Sequence, residues 1–401
     1  MNLWRIFTAL PLLAAPAAPQ VAVIAETLHT MAGPAIPSGV VLIRDGKIER
    51  VGHSSEVSVP AGFRTLKAKI VTPGLIDAYT VVGLSGHLNQ AHDQDQVERS
   101  KAIQPELRAI DGYDAKELLV EYLRGYGITT IHTGHGPGIL VSGQTMIVKT
   151  AGETVEEALV RPDVMVAASL GGLAREAGPG RSPGTRSKAI AMIRAELVKA
   201  QEASHKGEKK KDESSRDLAA EVWRQVLQRE KPLLVTVHRA HDILSAIRLG
   251  KEFNLRLVLS GVAEAYLVLD QIRESGYPVI VHPAMERARG EAVNIGFETA
   301  AKINAAGIPF AMQSGYESYV PKTRVVLFEA GVAAAHGLGF EPALSALTID
   351  AARLLGIADR TGSIEPGKDA DLALYDGDPF EYTSHCVGVI INGRVVSEQP
   401  Q

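Results

Sequence analysis

Between residues 70 and 361, short apolar runs alternate with stretches of helical periodicity. No other feature limits the fold of this chain as strongly. Strand-like runs stand near Ile70–Ile76, Thr129–Thr133, Val164–Ala168, Leu233–His238, Leu255–Leu259, Val279–His282 and Pro309–Gln313. Helical patterns fall between several of them, at Ala115–Tyr126, Ser187–Glu202, Leu218–Arg229, Asp242–Phe253, Ala263–Ser275 and Phe297–Ala306. A continuous apolar run of strand length suits a strand buried on both faces, and a parallel sheet covered by helices provides that environment. The alternation therefore points to a parallel α/β fold. Its extent is close to the roughly 250 residues of a (β/α)8 TIM-like barrel. A doubly wound sheet is the structural alternative.

The two ends of the chain read differently. Val40-Val41-Leu42-Ile43 runs into Asp45-Gly46, and Gly388-Val389-Ile390-Ile391 runs into Asn392-Gly393. Both dipeptides favour tight hairpin turns, because each tolerates a positive φ at the turn positions. Two β segments at opposite ends of a chain pair readily into one small domain. The expected division is residues 21–69 with 362–401 as that composite domain, and 70–361 as the barrel inserted between them.

Composition excludes several functions. The formal net charge is -4, so no basic face is expected and nucleic acid is not an expected partner. Aromatic residues make up only 5%, too few for a base-stacking platform. The single cysteine, Cys386, rules out an internal disulfide or a thiolate metal cluster and reads as a small core residue. Residues 1–18 look like an export signal. A short positive start through Arg5 precedes the apolar stretch Ile6–Ala18, and Ala15-Pro16-Ala17 offers a cleavage site. The expected location is periplasmic or extracellular, with no membrane span. The mixed charge run 204–215 has no apolar periodicity and reads as a solvated loop.

The stretch "VTPGLIDAYTVVG", residues 71–83, resembles the amidohydrolase superfamily, nearest its imidazolonepropionase and prolidase-like branch. Four further stretches share the likeness: residues 43–52, 127–152 and 235–266, and above all "ALTIDAARLLGIADRTGSIEPGKDADLALYDGDPF" at 346–380. The resemblance covers nearly the whole chain beyond the export segment. It implies a (β/α)8 barrel beside a β-sandwich built from both termini. It also implies one or two zinc-like divalent metals at the C-terminal mouth of the barrel, where bound water is activated and the scissile carbonyl polarised.

The family positions for that metal hold other residues here. The first-strand His-x-His pair corresponds to Tyr79 and Val81. Of the fifth-strand pair, Thr236 replaces one histidine and His238 remains. The sixth-strand Glu-His corresponds to Ser260-Gly261, and the eighth-strand Ser-Asp to Ser314-Gly315. No fourth-strand ligand can be placed. Residues at barrel strand ends carry the chemistry, so the joint replacement implies that the usual centre does not form. No cofactor is then expected, and a zinc-like divalent metal enters only through a relocated site.

The polar residues left near the strand ends are the pocket candidates: Asp77, Tyr79, His132, His135, His238, His241 and His282. His87, His92, Asp93 and Asp95 follow the first strand. Each also has an ordinary structural reading. His132 and His282 suit satisfied core histidines, and Asp242 beside His241 suits a helix N-cap. Three functions stand open. The first is a degenerate, pseudoenzyme-like amidohydrolase whose mouth binds a small molecule or a partner. The second is an active hydrolase of non-peptide C–N bonds, using a relocated metal or none. The third is a structural subunit of a homo- or hetero-oligomer.

Overall fold

The computed structural model describes residues 20–88, 90–175, 182–205, 217–316 and 325–400. The expected export segment and all but the first two residues of the charge run lie outside the described residues. The chain begins with strands β1 (Val21–Leu28), β2 (Ile36–Arg44), β3 (Lys47–His53) and β4 (Arg64–Pro73). The β2–β3 turn places Asp45 at φ 51° and Gly46 at φ 79°, the doubly positive pattern of a type I′ hairpin. β4 lies parallel to β1, whose other edge takes β2 antiparallel.

After Gly74 the chain leaves this sheet. The expected single run 70–76 is thus two strands, β4 and β5 (Leu75–Thr80), in different sheets. Then follow β6 (Ile128–Thr133), β7 (Val141–Gln144), β8 (Met146–Lys149), β9 (Leu159–Arg161), β10 (Val166–Ser169), β11 (Leu233–Val237), β12 (Leu257–Gly261), β13 (Val279–Val281) and β14 (Phe310–Met312). β10 to β14 pair in sequence order, all parallel, and β5 pairs parallel with β6. Most positions in these strands are buried, as an apolar run covered on both faces requires.

One part of the strand array departs from the all-parallel expectation. β8 is antiparallel to β6, and β7 is antiparallel to β10. The connection from β6 to β7 spans only residues 134–140. A parallel crossover needs a dozen or more residues, so a link this short returns the chain antiparallel. A parallel bridge between Thr80 and Gly315 joins the end of β5 to the end of β14. Helices fill the intervals, including Leu118–Gly125, Arg186–His205, Leu218–Leu227, Ala240–Glu252 and Leu269–Ser275. Leu218–Leu227 is typical. Asp217 caps it by accepting from Ala220 N at 3.0 Å, and Val222, Trp223 and Val226 face the core. Among the described residues, no helix is long and apolar enough to cross a membrane.

The last strands, β15 (Leu372–Tyr375), β16 (Cys386–Ile391) and β17 (Arg394–Ser397), return to β4. The small domain is thus formed by both ends of the chain. It is one seven-stranded sheet, ordered β17-β16-β15-β4-β1-β2-β3, in place of the two stacked sheets expected of a sandwich. β4 is the reason: it pairs on one side with β1 and on the other with β15. The sheet curls over its own core of Val23, Ile43, Val71, Leu372 and Ile390. Its two hairpin turns meet across Ala370, whose N–H donates to Gly46 O at 2.9 Å and whose carbonyl accepts from Gly393 N at 3.0 Å.

The strip just before β15 ties the seven-stranded sheet to β8 of the four-stranded one. Lys149, at the end of β8, is 3% exposed and forms a buried ion pair with Asp371. Asp371 also accepts from Thr361 Oγ1 at 2.9 Å and from Asn392 N at 3.0 Å. The neighbouring Asp369 accepts from Lys47 and Arg360, at 2.6 and 2.9 Å. Asp369 and Asp371 of "GKDADLALYD" are therefore structural anchors.

Candidate ligand-binding mouth

The carboxyl ends of β5, β11, β12, β13 and β14 surround a cleft of about 40 Å³, lined by Tyr79, Thr236, His238, Ser260, His282 and Gln313, among others. Asp77 lies beneath it, fully buried. Its Oδ1 accepts from Tyr79 N at 3.2 Å and from Ser314 N at 3.0 Å, which ties β5 to the end of β14. Loss of solvent raises its pKa to about 7, against the lowering effect of the Ser314 and Tyr79 hydrogen bonds, and the Glu329 charge adds to the rise.

Tyr79 stands where the resemblance expects the first ligand. Its hydroxyl donates to the His135 carbonyl at 2.5 Å, and burial pushes its pKa up, so it stays a neutral phenol. Val81, the second position, is 1% exposed and packs toward the backbone at Gly136. Thr236, the position of the replaced fifth-strand histidine, lines the cleft.

His132 does not open into the cleft. Its Nδ1 donates to Ala78 O at 2.7 Å, and its Nε2 accepts from Thr145 Oγ1 at 2.6 Å. Both ring nitrogens are used in linking neighbouring strands, and desolvation lowers the pKa to about 4. His135 is buried against Gly143, and neither ring nitrogen makes a hydrogen bond of normal geometry. Burial lowers its pKa as well.

His238 and His282 face the cleft from strands on either side of β12. His282 is 1% exposed, and its Nδ1 donates to Pro283 O at 2.8 Å. Its Nε2 is then a bare lone pair with no partner. His238 Nδ1 is also unpartnered. Desolvation lowers both pKa values to about 4, so both rings are neutral at physiological pH.

Two glycines complete the arrangement. Gly261 has φ +86°, and a Cβ there would stand 2.7 Å from His238 Cε1. Gly315 has φ +67°, and a Cβ there would stand 2.9 Å from Pro283 Cγ. At both positions the backbone conformation and the surrounding atoms exclude a larger side chain. At these two positions the resemblance sets the expectation of a histidine ligand and of the proton-accepting aspartate. The residues present do not fit that metal centre: one ligand volume is filled by an imidazole, another by a proline ring, and the first strand offers a phenol and an isopropyl group. Among the described residues, no group of three or more His, Cys, Asp or Glu side chains is placed to hold a metal ion.

Other candidates lie elsewhere. His241 is 61% exposed at the side chain and lines a separate cavity of about 300 Å³ with Arg186, Arg194 and Arg248. Asp242 is not the expected N-cap. Arg239 occupies that position, and Asp242 sits inside the helix Ala240–Glu252, paired with Arg186 at 2.9 Å. The helix start is held by Glu264, which accepts from Ala240 N at 2.8 Å. His87 lies 3.5 Å from Glu117, and His92 lies 3.4 Å from Asp93. Asp95 donates its backbone N–H to Leu84 O. None of these loop residues lines the mouth.

Gln313 and Tyr316 do line it, and sequence reasoning passed over both. Gln313 Nε2 donates to Ser260 Oγ at 3.1 Å and to Ile280 O at 3.2 Å. Tyr316 accepts from Gln96 Nε2 at 3.1 Å. Their proximity to Ser314-Gly315, a strand-end position already marked by the family pattern, was the available signal.

Comparison with known proteins finds likeness to amidohydrolases. Residues 316–397 match the model of a family described as Amidohydrolase family. The imidazolonepropionase of Rhizobium rhizogenes is 24% identical over 367 residues, covering 85% of this chain and 87% of that protein. The amidohydrolase tasK of Hapsidospora irregularis is 24% identical over 406 residues, covering 90% of this chain. This chain spans only 40% of tasK. Among solved structures, an amidohydrolase from Thermotoga maritima MSB8 superposes with a TM-score of 0.86 and 28% identity, covering 94% of this chain and all of that one.

Proposed function

The chain belongs to the amidohydrolase superfamily, on its imidazolonepropionase-like branch, and from that premise we propose a degenerate member whose mouth binds a small molecule without hydrolysing it. One observation carries the reading. The His238 ring occupies the space that a ligand side chain at position 261 would need. The positive φ of Gly261 and Gly315 supports it, because both replaced positions are built into the backbone. The same reading takes the six-stranded and four-stranded sheets as one closed eight-stave barrel. Support comes from the Thr80–Gly315 bridge and from the pairing of β7 and β8 with strands on either side. Export through residues 1–18 belongs to this reading, as does a mouth open to a small-molecule ligand.

The test is metal content together with turnover. Purified protein is exposed to Zn²⁺, Mn²⁺ or Fe²⁺, freed of excess ion, and assayed for bound metal and for hydrolysis of amides and cyclic amides. The expected result is far less than one equivalent of metal and no turnover. One or two retained equivalents, or turnover of any C–N substrate, overturns the reading and returns the chain to the active hydrolases.

A further inference from the structure

We propose that the trough between the helices Arg186–His205 and Ala240–Glu252 is a second binding site, which takes a small oxyanion on a short apolar body and grips its head with Arg248 and Arg194. It shares no lining residue with the mouth, so it stands apart from the metal-free reading above. The two helices build it from matched stripes. One supplies Arg186, Ile190 and Arg194, and the other His241, Ser245 and Arg248. Residues three and four apart share a helix face, so each stripe looks into the same space. That space is about 300 Å³, at the lower end of the roughly 300–1,000 Å³ of small-molecule sites. Leu170 and Ile190 give it an apolar wall.

The balance of charges places the head. At one end Arg186 donates to Asp242 at 2.9 Å and to Glu291 at 2.8 Å, so that guanidinium is spent. His241 Nε2 lies 3.4 Å from the same Asp242. An anion there would meet two carboxylates. At the other end Arg194 takes both oxygens of Glu252, each at 2.8 Å. Arg248, one turn before Glu252 on the same helix, is thereby left without a carboxylate among the described residues. Its guanidinium donates to Ser245 Oγ at 2.7 Å, and Ser245 spends its own proton on His241 O at 2.9 Å. The hydroxyl holds the guanidinium in place without neutralising it. A planar fork held this way, beside a second guanidinium, suits the oxygens of a carboxylate or a phosphate group. The chain as a whole carries a net charge of -4, so its general field repels anions and retention would belong to this local excess.

The test is calorimetric titration of the full chain with benzoate and phenyl phosphate, which carry the two head groups on the same ring. Benzamide and benzylamine serve as the uncharged and cationic counterparts. The expected result is saturable binding of at least one oxyanion, weakened by added salt, with neither counterpart bound at equal concentration. The tighter of the two oxyanions identifies the head group. Arg248 is exposed, so its replacement should leave the fold intact. R248A is expected to weaken binding about tenfold or more, and R248K, which keeps the charge and loses the fork, by less. S245A, which frees the guanidinium, is expected to cost a few-fold. No saturable binding of either oxyanion, equal binding of a counterpart, or an R248A protein that binds as the parent does overturns the inference. Bound metal or turnover at the mouth would overturn the metal-free reading and leave this one standing.

Discussion

The imidazole of His238 lies over the backbone of Gly261, with Cε1 2.7 Å from the point where a Cβ at 261 would stand. Two adjacent strands thereby share one volume: what β12 does not fill with a side chain, the residue just after β11 fills. G261A meets both the ring and a φ of +86°. Its expected cost is about 1–3 kcal/mol, read from the denaturant midpoint. H238A in the same chain recovers only the steric part, because the backbone strain remains. A G261A protein as stable as the parent would mean that the ring does not occupy that volume.

Lys149 and Asp371 predict a larger effect. Removing one partner of a buried pair leaves an uncompensated charge, at a cost of about 3–5 kcal/mol. K149M should lose stability on that scale, and D371N added to it should restore part of the loss by neutralising the orphaned carboxylate. Raising the salt concentration should not erase the effect, because both groups are nearly excluded from solvent. Equal midpoints for K149M and the parent protein would contradict the buried pair.

The buried titratable groups set an acid limit on stability. His132, His238 and His282 have pKa values lowered to about 4. Between about pH 4 and 6.5 the unfolded chain binds protons that these folded histidines refuse, so stability falls as pH falls through that window. Asp77 acts in the opposite sense, since its folded pKa is raised to about 7. Three groups against one leave a net of about two protons, and His135, also lowered by burial, adds in the same sense. At about 1.4 kcal/mol per proton per pH unit, stability should drop by up to about 3 kcal/mol per unit below pH 6. Chemical denaturation at stepped pH measures this slope, and a flat profile from pH 6.5 to 4.5 would show that the histidines are solvated.

Asp77 can be isolated from that sum. Its folded form keeps a proton that the unfolded chain gives up between about pH 4 and 7, so its contribution to stability declines as pH rises through that range. D77N has no such titration and keeps an oxygen to accept from Ser314 N and Tyr79 N. The stability difference between D77N and the parent should therefore move in favour of the variant between pH 5 and pH 8. An unchanged difference would mean that Asp77 is already ionised at pH 5 in the folded protein, as it is in the unfolded chain.

How much of this could be read in the chain beforehand depends on the range of the interaction. The parallel strands β11 to β14 stood out as apolar runs because each is buried by its own residues. The expectation of replaced ligands at 79, 81, 261 and 315 came from the resemblance, which fixes the register of the strand ends. The start of the helix at Ala240 was not. Asp242 carried the local signature of an N-cap, but its carboxylate is taken by Arg186, and Glu264, from beyond the next strand, holds the helix start. The antiparallel course of β7 and β8 was hidden as well, since a strand of four residues carries little periodicity and its direction depends on the length of the connection before it. That His238 fills the space at Gly261 depends on two residues remote in sequence and adjacent only in the fold.

The anchor between Lys149 and Asp371 also orders events in time. A ribosome delivers Lys149 early and Asp371 only after all of β5 to β14 have emerged. Until then the ammonium has no partner, and β4 lacks its neighbour β15. The strip 369–371 therefore acts as a latch set last: nascent chains stopped short of it should remain open to proteases at their first strands, however completely the central strands have formed.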